Sequence, residues 1–541
     1  MSRRTALGAL LLALGALALA SALRRGPERR PEGPAGAGPE ATEGGAALAE
    51  RHCQACHLLP RPEHLPRESW PFVLTWMGNY LGFRQLEPPF GRLVGAHLIP
   101  EAPVLARGDF ARLAAFFRAG APPREAFRVR RANPPLTRFR AAPLDAGVPP
   151  GELMTLVHID SARGHLYLGA GRSRELHVVD RRGKEVFRGG FASEPIHVEP
   201  SASGFRLALI GSFDQSETRA GRVLDLRREA GGGFRRRMLV QGFPRLVQSL
   251  GSDLDRDGRE DLLLVGFGDG YGPGHGKVSI LWRSEGYERA HRDAPAVLEV
   301  PLLAGAFREQ VLLDRAGALG AEIRDFDGDG LPDVMILTAQ GHQELLLFRN
   351  RGGRDFEARR LVQQFPSFGY NQLLAADFDG DGQLDVLTVN GNNMEIPDPP
   401  PRPYHGIRIL EGDGRLHFVE RFFYPMHGAM LARAADFDGD GDLDIAAVAF
   451  YPDWEAPEPE TMSYLENLGG FRFAASSLGG PHWGRWLTLD AGDVDGDGRP
   501  DLVLGAGNAP GGGLHPARLE AFERYRARLS RAPSVVLLRN E

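Results

Sequence analysis

Cysteine is nearly absent from this chain: 541 residues contain two, Cys53 and Cys56. Both lie in one pentapeptide that gives them another use, so a disulfide framework is excluded. Lysine is equally scarce. Lys184 and Lys277 are the only two among 64 basic residues, an arginine bias that suggests a GC-rich bacterial genome. The formal charge of −6 argues against nucleic acid as a partner. Beyond Leu23 no apolar run is long enough to span a bilayer. No Ser-His-Asp array and no phosphate-cradling glycine loop can be picked out. Residues 26–47 are Gly, Pro, Glu and Ala with almost nothing large and apolar, and read as a flexible tether. The roughly 490 residues that follow exceed one ordinary core, so at least two domains are expected.

What is present begins with Cys53-Gln54-Ala55-Cys56-His57. Two thiols at this spacing can add to the two vinyl groups of one porphyrin, and the next histidine then lies under the iron as proximal ligand. C-x-x-C-H is the attachment signature of a c-type haem. A thioredoxin-like redox pair would stand near a βαβ pattern, and a zinc site needs two further ligands that are not visible nearby. One covalent haem c is expected.

The first residues agree with export. Arg3 and Arg4 form a positive n-region, Thr5 to Leu23 carries no charge, and Ala18-Leu19-Ala20 before Ser21 is a small-residue cleavage site. Arg24 and Arg25 follow at once, which also suits an uncleaved anchor. Residues 1–25 are therefore read as a signal peptide or membrane anchor, with Ser2-Arg3-Arg4 a weak hint of twin-arginine export. Either way the mature protein is expected in the periplasm or on the surface of a bacterium.

Residues 48–125 read as a small all-α head. Helical character runs from Ala46 to His57, from Arg67 to Tyr80 and from Gly108 to Ala119. The second helix carries Trp70, Val73, Leu74 and Met77 at i, i+3, i+4 and i+7, and the third Phe110, Leu113, Ala114 and Phe117 on one face. The iron's sixth position is assigned to Met77, since a thioether opposite histidine raises the reduction potential. Met77 also falls on the apolar stripe and would serve there as packing. His97, His64 and His52 are the alternatives, in that order.

The second signal is a repeat. Asp-x-Asp-x-Asp-Gly-x-x-Asp occurs five times. Its carboxylates are Asp253, Asp255, Asp257 and Asp261; Asp325, Asp327, Asp329 and Asp333; Asp377, Asp379, Asp381 and Asp385; Asp436, Asp438, Asp440 and Asp444; and Asp493, Asp495, Asp497 and Asp501. Carboxylates at positions 1, 3 and 5 of a tight loop converge. Glycine at 6 permits the turn, position 7 (Arg259, Leu331, Gln383, Asp442, Arg499) offers a carbonyl, and Asp at 9 closes the cage. These are hard oxygen ligands at a spacing that suits calcium, about five ions in all. An EF-hand is excluded: position 12 is Leu264, Ile336, Thr388, Ala447 and Leu504, and a strand-like run rather than a helix follows each loop. Without a cation the clustered carboxylates repel one another. Five calcium ions would move the formal charge from −6 to +4.

A strand, a polar turn and an aromatic recur more often than the loop does, from Leu176…Phe187 to Val535-Val-Leu-Leu-Arg-Asn540, and count seven units. In the first two, Asp160-Ser-Ala-Arg-Gly164 and Glu199-Pro-Ser-Ala-Ser-Gly204 replace the acidic loop and are too poor in carboxylates to hold an ion. Successive acidic loops start 72, 52, 59 and 57 residues apart, within reach of a four-stranded blade with insertions.

These features resemble the FG-GAP (VCBS) repeat family, whose calcium-loop blades form propellers of the integrin α-subunit head type. The resemblance implies an all-β seven-bladed propeller over residues 126–541, following a cytochrome c-like domain over 48–125. The segment from Cys53 through Pro60, Pro62, Leu65, Pro66, Trp70, Met77 and Gly78 to Gly82 is similar to the cytochrome-c-like head fused to such repeats in some bacterial secreted proteins.

Calcium of this kind pins strand hairpins, and function is expected on the opposite face and in inserted loops. Those segments hold Tyr271, His275, Asn393, Met394, His405, Trp454 and His515, with Phe368, Tyr370, Met426, His427, His482, Trp483 and Trp486 entering the blades. They can line a substrate site or a docking surface for the head, or be loop filling and packing. The reading adopted is an electron-transfer protein with the propeller as docking platform for a redox partner. The alternatives are a haem-coupled oxidoreductase with its substrate on the propeller face, and an adhesion or glycan-binding propeller with an accessory haem. No catalytic residue is assigned; one haem accepts one electron at a time, which suits a carrier better than a catalyst.

Overall fold

Each acidic nonapeptide is the turn between the first two strands of a sheet. A computed structural model describes residues 39–55, 57–83, 99–129, 131–213, 218–268, 275–287, 305–393, 399–479, 484–507 and 532–541. It contains seven antiparallel sheets of four strands, each in sequence order except the last. The first blade runs from Met154–Asp160 to Glu185–Gly190 and the second from Pro195–Ser201 to Phe234–Phe243. The third runs from Leu246–Ser252 to Phe307–Leu313, the fourth from Ala318–Arg324 to Phe356–Gln363, and the fifth from Tyr370–Ala376 to Phe418–Pro425. The sixth spans Ala429–Ala435 to Phe473–Ser477. The seventh takes Trp486–Gly492, Asp501–Ala506 and Val535–Asn540, and its outer strand is Phe139–Pro143 from the other end of the chain. This is a seven-bladed all-β propeller closed by its first strand.

The second strand of each loop-bearing blade (Asp261–Gly266, Asp333–Thr338, Asp385–Asn390, Asp444–Ala449, Asp501–Ala506) is buried at all six positions. Neighbouring blades cover both its faces, which is why these segments read as continuous apolar runs rather than alternating ones. The core therefore lies in the seams. One cluster joins Phe437, Ala446 and Tyr464 of the sixth blade to Trp486, Leu502 and Val536 of the seventh, with Phe139 of the closing strand.

Inner strands are latched to one another by side chains that accept the next blade's backbone N–H. Glu199 takes Gly251 at 3.0 Å, Gln248 takes Ala321 at 2.8 Å and Gln372 takes Ala432 at 2.7 Å. At the closure Asp490 accepts Ile159 N–H at 2.8 Å, while Arg433 Nε lies 2.7 Å from its other oxygen and His158 Nδ1 lies 3.2 Å away. Burial pushes this carboxyl up, but Arg433 and His158 outweigh it and hold Asp490 at about 2.

Among the described residues the head has three α-helices, Pro39–Cys53, Trp70–Tyr80 and Arg107–Gly120. The first begins eight residues before the tether was expected to end (47), and it stops at Cys53 rather than running on to His57. Tertiary packing overrides the poor helix propensity of Gly44-Gly45: a Cβ on Gly45 would stand 2.4 Å from Phe116 Cβ, so the two helices meet only because glycine is there. Ala49, Leu65, Trp70, Leu74, Leu113, Phe117 and Ala121 form the head's own core, with Trp70 stacked on Phe117 at 4.2 Å. The expected leader and most of the expected tether lie outside the described residues. Among the described residues no helix is long and apolar enough to cross a membrane.

The head rests on the propeller. Its contacts go to connections between second and third strands and between successive blades, which in antiparallel sheets lie on the face opposite the acidic turns. His64 stacks on Phe365 at 3.6 Å, Tyr404 Oη donates to His64 O at 2.7 Å and Arg124 donates to Pro399 O at 3.0 Å. Val129 N donates to His427 Nε2 at 3.2 Å, Arg128 pairs with Asp453 and Glu455, and Arg131 reaches Glu460 at 2.7 Å while lying over the Tyr424 ring.

Asp490→Ala leaves the half-buried Arg433 guanidinium and the buried Ile159 N–H without their acceptor at the ring closure, and is expected to destabilise the folded chain by about 2–4 kcal/mol in urea unfolding. The folded pKa lies below the ordinary value, so this contribution is complete above about pH 4 and is lost as pH falls toward 2. The gap between wild type and Asp490→Asn should narrow over that window.

Candidate functional site

In each acidic turn the sixth residue has a positive φ: Gly258 81°, Gly330 85°, Gly382 86°, Gly441 99° and Gly498 88°. A side chain there would be strained, which accounts for glycine in all five copies. The first aspartate accepts the N–H of that glycine, as Asp253 does from Gly258 at 2.9 Å and Asp377 from Gly382 at 2.9 Å. The loop thus coils around its own first carboxylate and brings the others toward it.

Oxygens of Asp253, Asp255 and Asp261 lie within 4.8 Å of one another, as do those of Asp325, Asp327 and Asp333 and of Asp377, Asp379 and Asp385. In the last two loops the converging set is Asp436, Asp438 and Asp440, and Asp493, Asp495 and Asp497. Positions 1, 3 and 9 therefore meet in three loops, and positions 1, 3 and 5 in two. These are all-oxygen, hard-donor clusters of the kind that suits calcium.

The ninth aspartate does more than close a cage. Asp333 Oδ2 accepts Phe326 N–H at 3.1 Å from the loop, and Oδ1 accepts Asn350 N–H at 2.7 Å from the end of the third strand. Asp261, Asp385, Asp444 and Asp501 repeat both bonds. Burial pushes Asp261, Asp333 and Asp385 up to about 6, against the amide donors that favour the charged form. At Asp442 burial and the carboxylates of Asp440, Asp444 and Asp438 push the acid up to about 6.

The asparagine ending three third strands carries a second stitch. Asn350 Nδ2 donates to Leu254 O at 2.8 Å, Asn467 to Phe378 O at 3.0 Å and Asn540 to Phe437 O at 2.6 Å, each in the acidic loop of the preceding blade. Sequence reasoning gave these residues no role, although Asn350, Asn467 and Asn540 recur at one repeat position. In the first two blades the equivalent acids are engaged: Asp160 holds Arg163 at 2.8 Å, and Glu199 binds Arg206 and Gly251 N–H.

On the opposite face stands the haem-type motif. Cys53 ends the first helix and packs against the head core, and burial pushes its thiol up to about 11. Cys56 lies outside the described residues. His57 is half-buried, with Nδ1 2.9 Å from Leu58 O, and burial lowers its pKa. His57 is near enough to His342 of the fourth blade to act on it: burial first, then Arg315 and, more weakly, His57 hold His342 below the usual range. Met77 is half-buried on the second helix and lies outside the cluster formed by Trp70 and Leu74. Beside it in sequence, Trp76 is buried, and its indole N–H has no partner among the described residues. His64 is committed elsewhere, stacked on Phe365 with Nδ1 accepting Arg61 N–H at 3.1 Å. His52 is half-buried in the last turn of the first helix, and His97 lies outside the described residues.

Of the loop residues expected on this face, Phe368, Tyr370, Met426 and Trp486 are seam packing. Asn393 and His405 are buried, Asn393 donating to Pro400 O at 3.0 Å, and His427 accepts the N–H of Val129 beside the head. Tyr271, Met394, His482, Trp483 and His515 lie outside the described residues.

Two stretches match family models: residues 325–388 an FG-GAP-like repeat, and residues 486–515 an FG-GAP repeat. The chain carries FG-GAP repeats, and its propeller is the platform on which the helical head is borne. No protein of curated function matches the sequence. Similar solved structures include the Neurospora crassa Pan2 WD40 domain, at 10% identity over 75% of this chain and 97% of that one, TM-score 0.43. A calcium-binding regucalcin from Agrobacterium tumefaciens is 12% identical over 57% of this chain and 85% of its own, TM-score 0.34. The propeller assignment stands on the strand pairing and not on these likenesses.

The fifth-blade loop separates the two roles of its acids. In EDTA, Asp385→Ala leaves two buried N–H groups unpaired and is expected to cost about 2–4 kcal/mol, whereas Asp379→Ala should stay within about 1 kcal/mol of wild type. Added calcium should raise the wild-type melting temperature and raise that of Asp379→Ala less. Thermal unfolding of the three proteins with and without calcium checks both statements.

Proposed function

We propose that this protein is an exported c-type haem electron-transfer protein whose calcium-binding propeller is the docking platform for the head and for a redox partner. The observation that carries the reading is His57. Burial disfavours its charged form, and its Nδ1 is tied to the Leu58 carbonyl at 2.9 Å, which leaves the Nε2 lone pair available to a metal. Cys53 and Cys56 would hold the porphyrin by thioether bonds, and Met77 would be the sixth ligand. The Trp76 N–H, without a partner among the described residues, offers a donor to an anionic group such as a propionate.

When bound, haem supplies a one-electron couple whose potential a thioether ligand raises. The chain's own part is to fix the imidazole, exclude water with the head core and hold the head against blades four to six. A dithiol redox centre fits less well, because a buried thiol pushed up to about 11 is not the nucleophile such chemistry needs. The acidic loops would take calcium and pin each loop-bearing blade. FG-GAP repeats are typical of extracellular proteins, in keeping with a periplasmic or cell-surface location.

The test is a pyridine haemochrome assay and a reduced-minus-oxidised spectrum of natively matured protein. One covalent haem per chain is expected, lost in Cys53→Ala/Cys56→Ala. Met77→Ala should keep the haem and lose the long-wavelength methionine-to-iron band. A wild type without haem absorbance sinks the reading, and an unchanged band in Met77→Ala sinks that ligand.

A further inference from the structure

The turn between the third and outer strands puts one non-glycine residue in the left-handed backbone region in three successive blades: Arg354 (φ 68°), Leu416 (φ 67°) and Phe471 (φ 58°). Side chains rarely adopt this conformation, and its repetition marks one structural position. Each of these side chains enters the seam with the preceding blade. Leu416 packs in the cluster that holds Phe326, and Phe471 packs against the one that holds Phe378; both phenylalanines are the second residue of an acidic loop. Arg354 instead places Nε 2.7 Å from Asp255 Oδ2 and its terminal nitrogen 3.9 Å from Asp257, with its guanidinium over the Trp282 ring at 4.8 Å.

In the seventh blade the ring closure interrupts this turn, and Arg138, just before the closing strand, takes the place. It lies 3.7 Å from Asp438 and donates to Phe437 O at 3.4 Å. From the first blade Arg181 comes against the last acidic loop, where a Cβ on Gly496 would be 2.5 Å from its guanidinium. Arginines of the same blade add to this. Arg259 is on Asp257, Arg349 lies 2.5 Å from Asp327 and 3.3 Å from Asp329, and Arg499 lies 2.8 Å from Asp497. Among the described residues, the loop 377–385 alone has no arginine on its carboxylates.

We infer that these arginines rank the five loops as cation sites, and that Arg354 is a guanidinium gate shared between the third and fourth blades. The inference rests on the calcium reading above. A divalent ion at the loop 253–261 needs Asp255, the carboxylate that Arg354 holds, so ion and guanidinium compete for it. The loop 377–385, with four acids and no competitor, fills first, and the loop 253–261, with two arginines, fills late. Filling it also releases Arg354 from Asp255, so occupancy there is coupled to the contact between the third and fourth blades.

The experiment is calorimetric titration of calcium into the EDTA-stripped full chain, compared with Arg354→Leu and Leu416→Arg. These exchange the residues that two blades place at one turn position. Wild type should show more than one affinity class. Arg354→Leu should tighten one site by roughly threefold to tenfold, and adding Asp255→Asn should abolish that site. Leu416→Arg should weaken one site. Circular dichroism of each variant in EDTA shows whether it has folded. A single affinity class in wild type, with isotherms unchanged in folded Arg354→Leu and Leu416→Arg, overturns the gate and leaves the calcium reading standing. No calcium uptake by wild type overturns both.

Discussion

A buried carboxylate at the ninth place of each acidic turn is the constraint on which the loop-bearing blades depend. With one oxygen it holds the turn, and with the other it holds the end of the third strand, so three of four strands meet at one group. Buried amides and a buried acid answer each other there, and neither could be left alone in a seam without water. Loop conformation, strand register and the geometry of the first and third aspartates all follow from that anchor. The asparagine stitch then passes the order to the next blade: the carbonyl it binds belongs to the residue whose N–H the neighbour's own anchor holds.

The two faces of the ring are chemically separate. One is acidic and repetitive, crossed by arginines. The other carries the head, pinned by an aromatic stack, a tyrosine hydroxyl and arginine–carboxylate pairs. The segment from His57 to His64 lies between the head core and the fourth and fifth blades. A redox centre held there would have the propeller as part of its surroundings, and the connection after Gly120 would not leave it free to swing.

Much of this was legible in the residues. Five copies of one acidic turn and seven copies of strand, turn and aromatic give the blade count directly, because each repeat must solve the same burial problem. The helices at Trp70 and Arg107 follow from apolar periodicity. The start of the first helix does not, since Gly44 and Gly45 are poor helix formers and only Phe116, far along the chain, explains them. The latches from Gln248, Gln372 and Asp490 were equally hidden: a polar residue in a strand says nothing of which neighbour's N–H it will meet. Met77 shows the limit of periodicity, for it sits on the apolar stripe yet outside the cluster that the stripe builds.

The closing strand has a mechanical meaning. Phe139–Pro143 pairs with Val536 to Asn540 through five residue pairs, and it is the first strand after the head. Once the head's contacts with blades four to six have parted, force passing along the chain meets this strand as the first of the ring's strands in sequence. It would shear one short ladder rather than peel a blade from its middle, with the lateral bridge of Pro135 to Ser477 loaded just ahead of it. The ring's clasp is thus also the first ladder beyond the head, and what holds it under tension is five residue pairs together with the aromatic wedge of Phe139 between Phe437 and Tyr464.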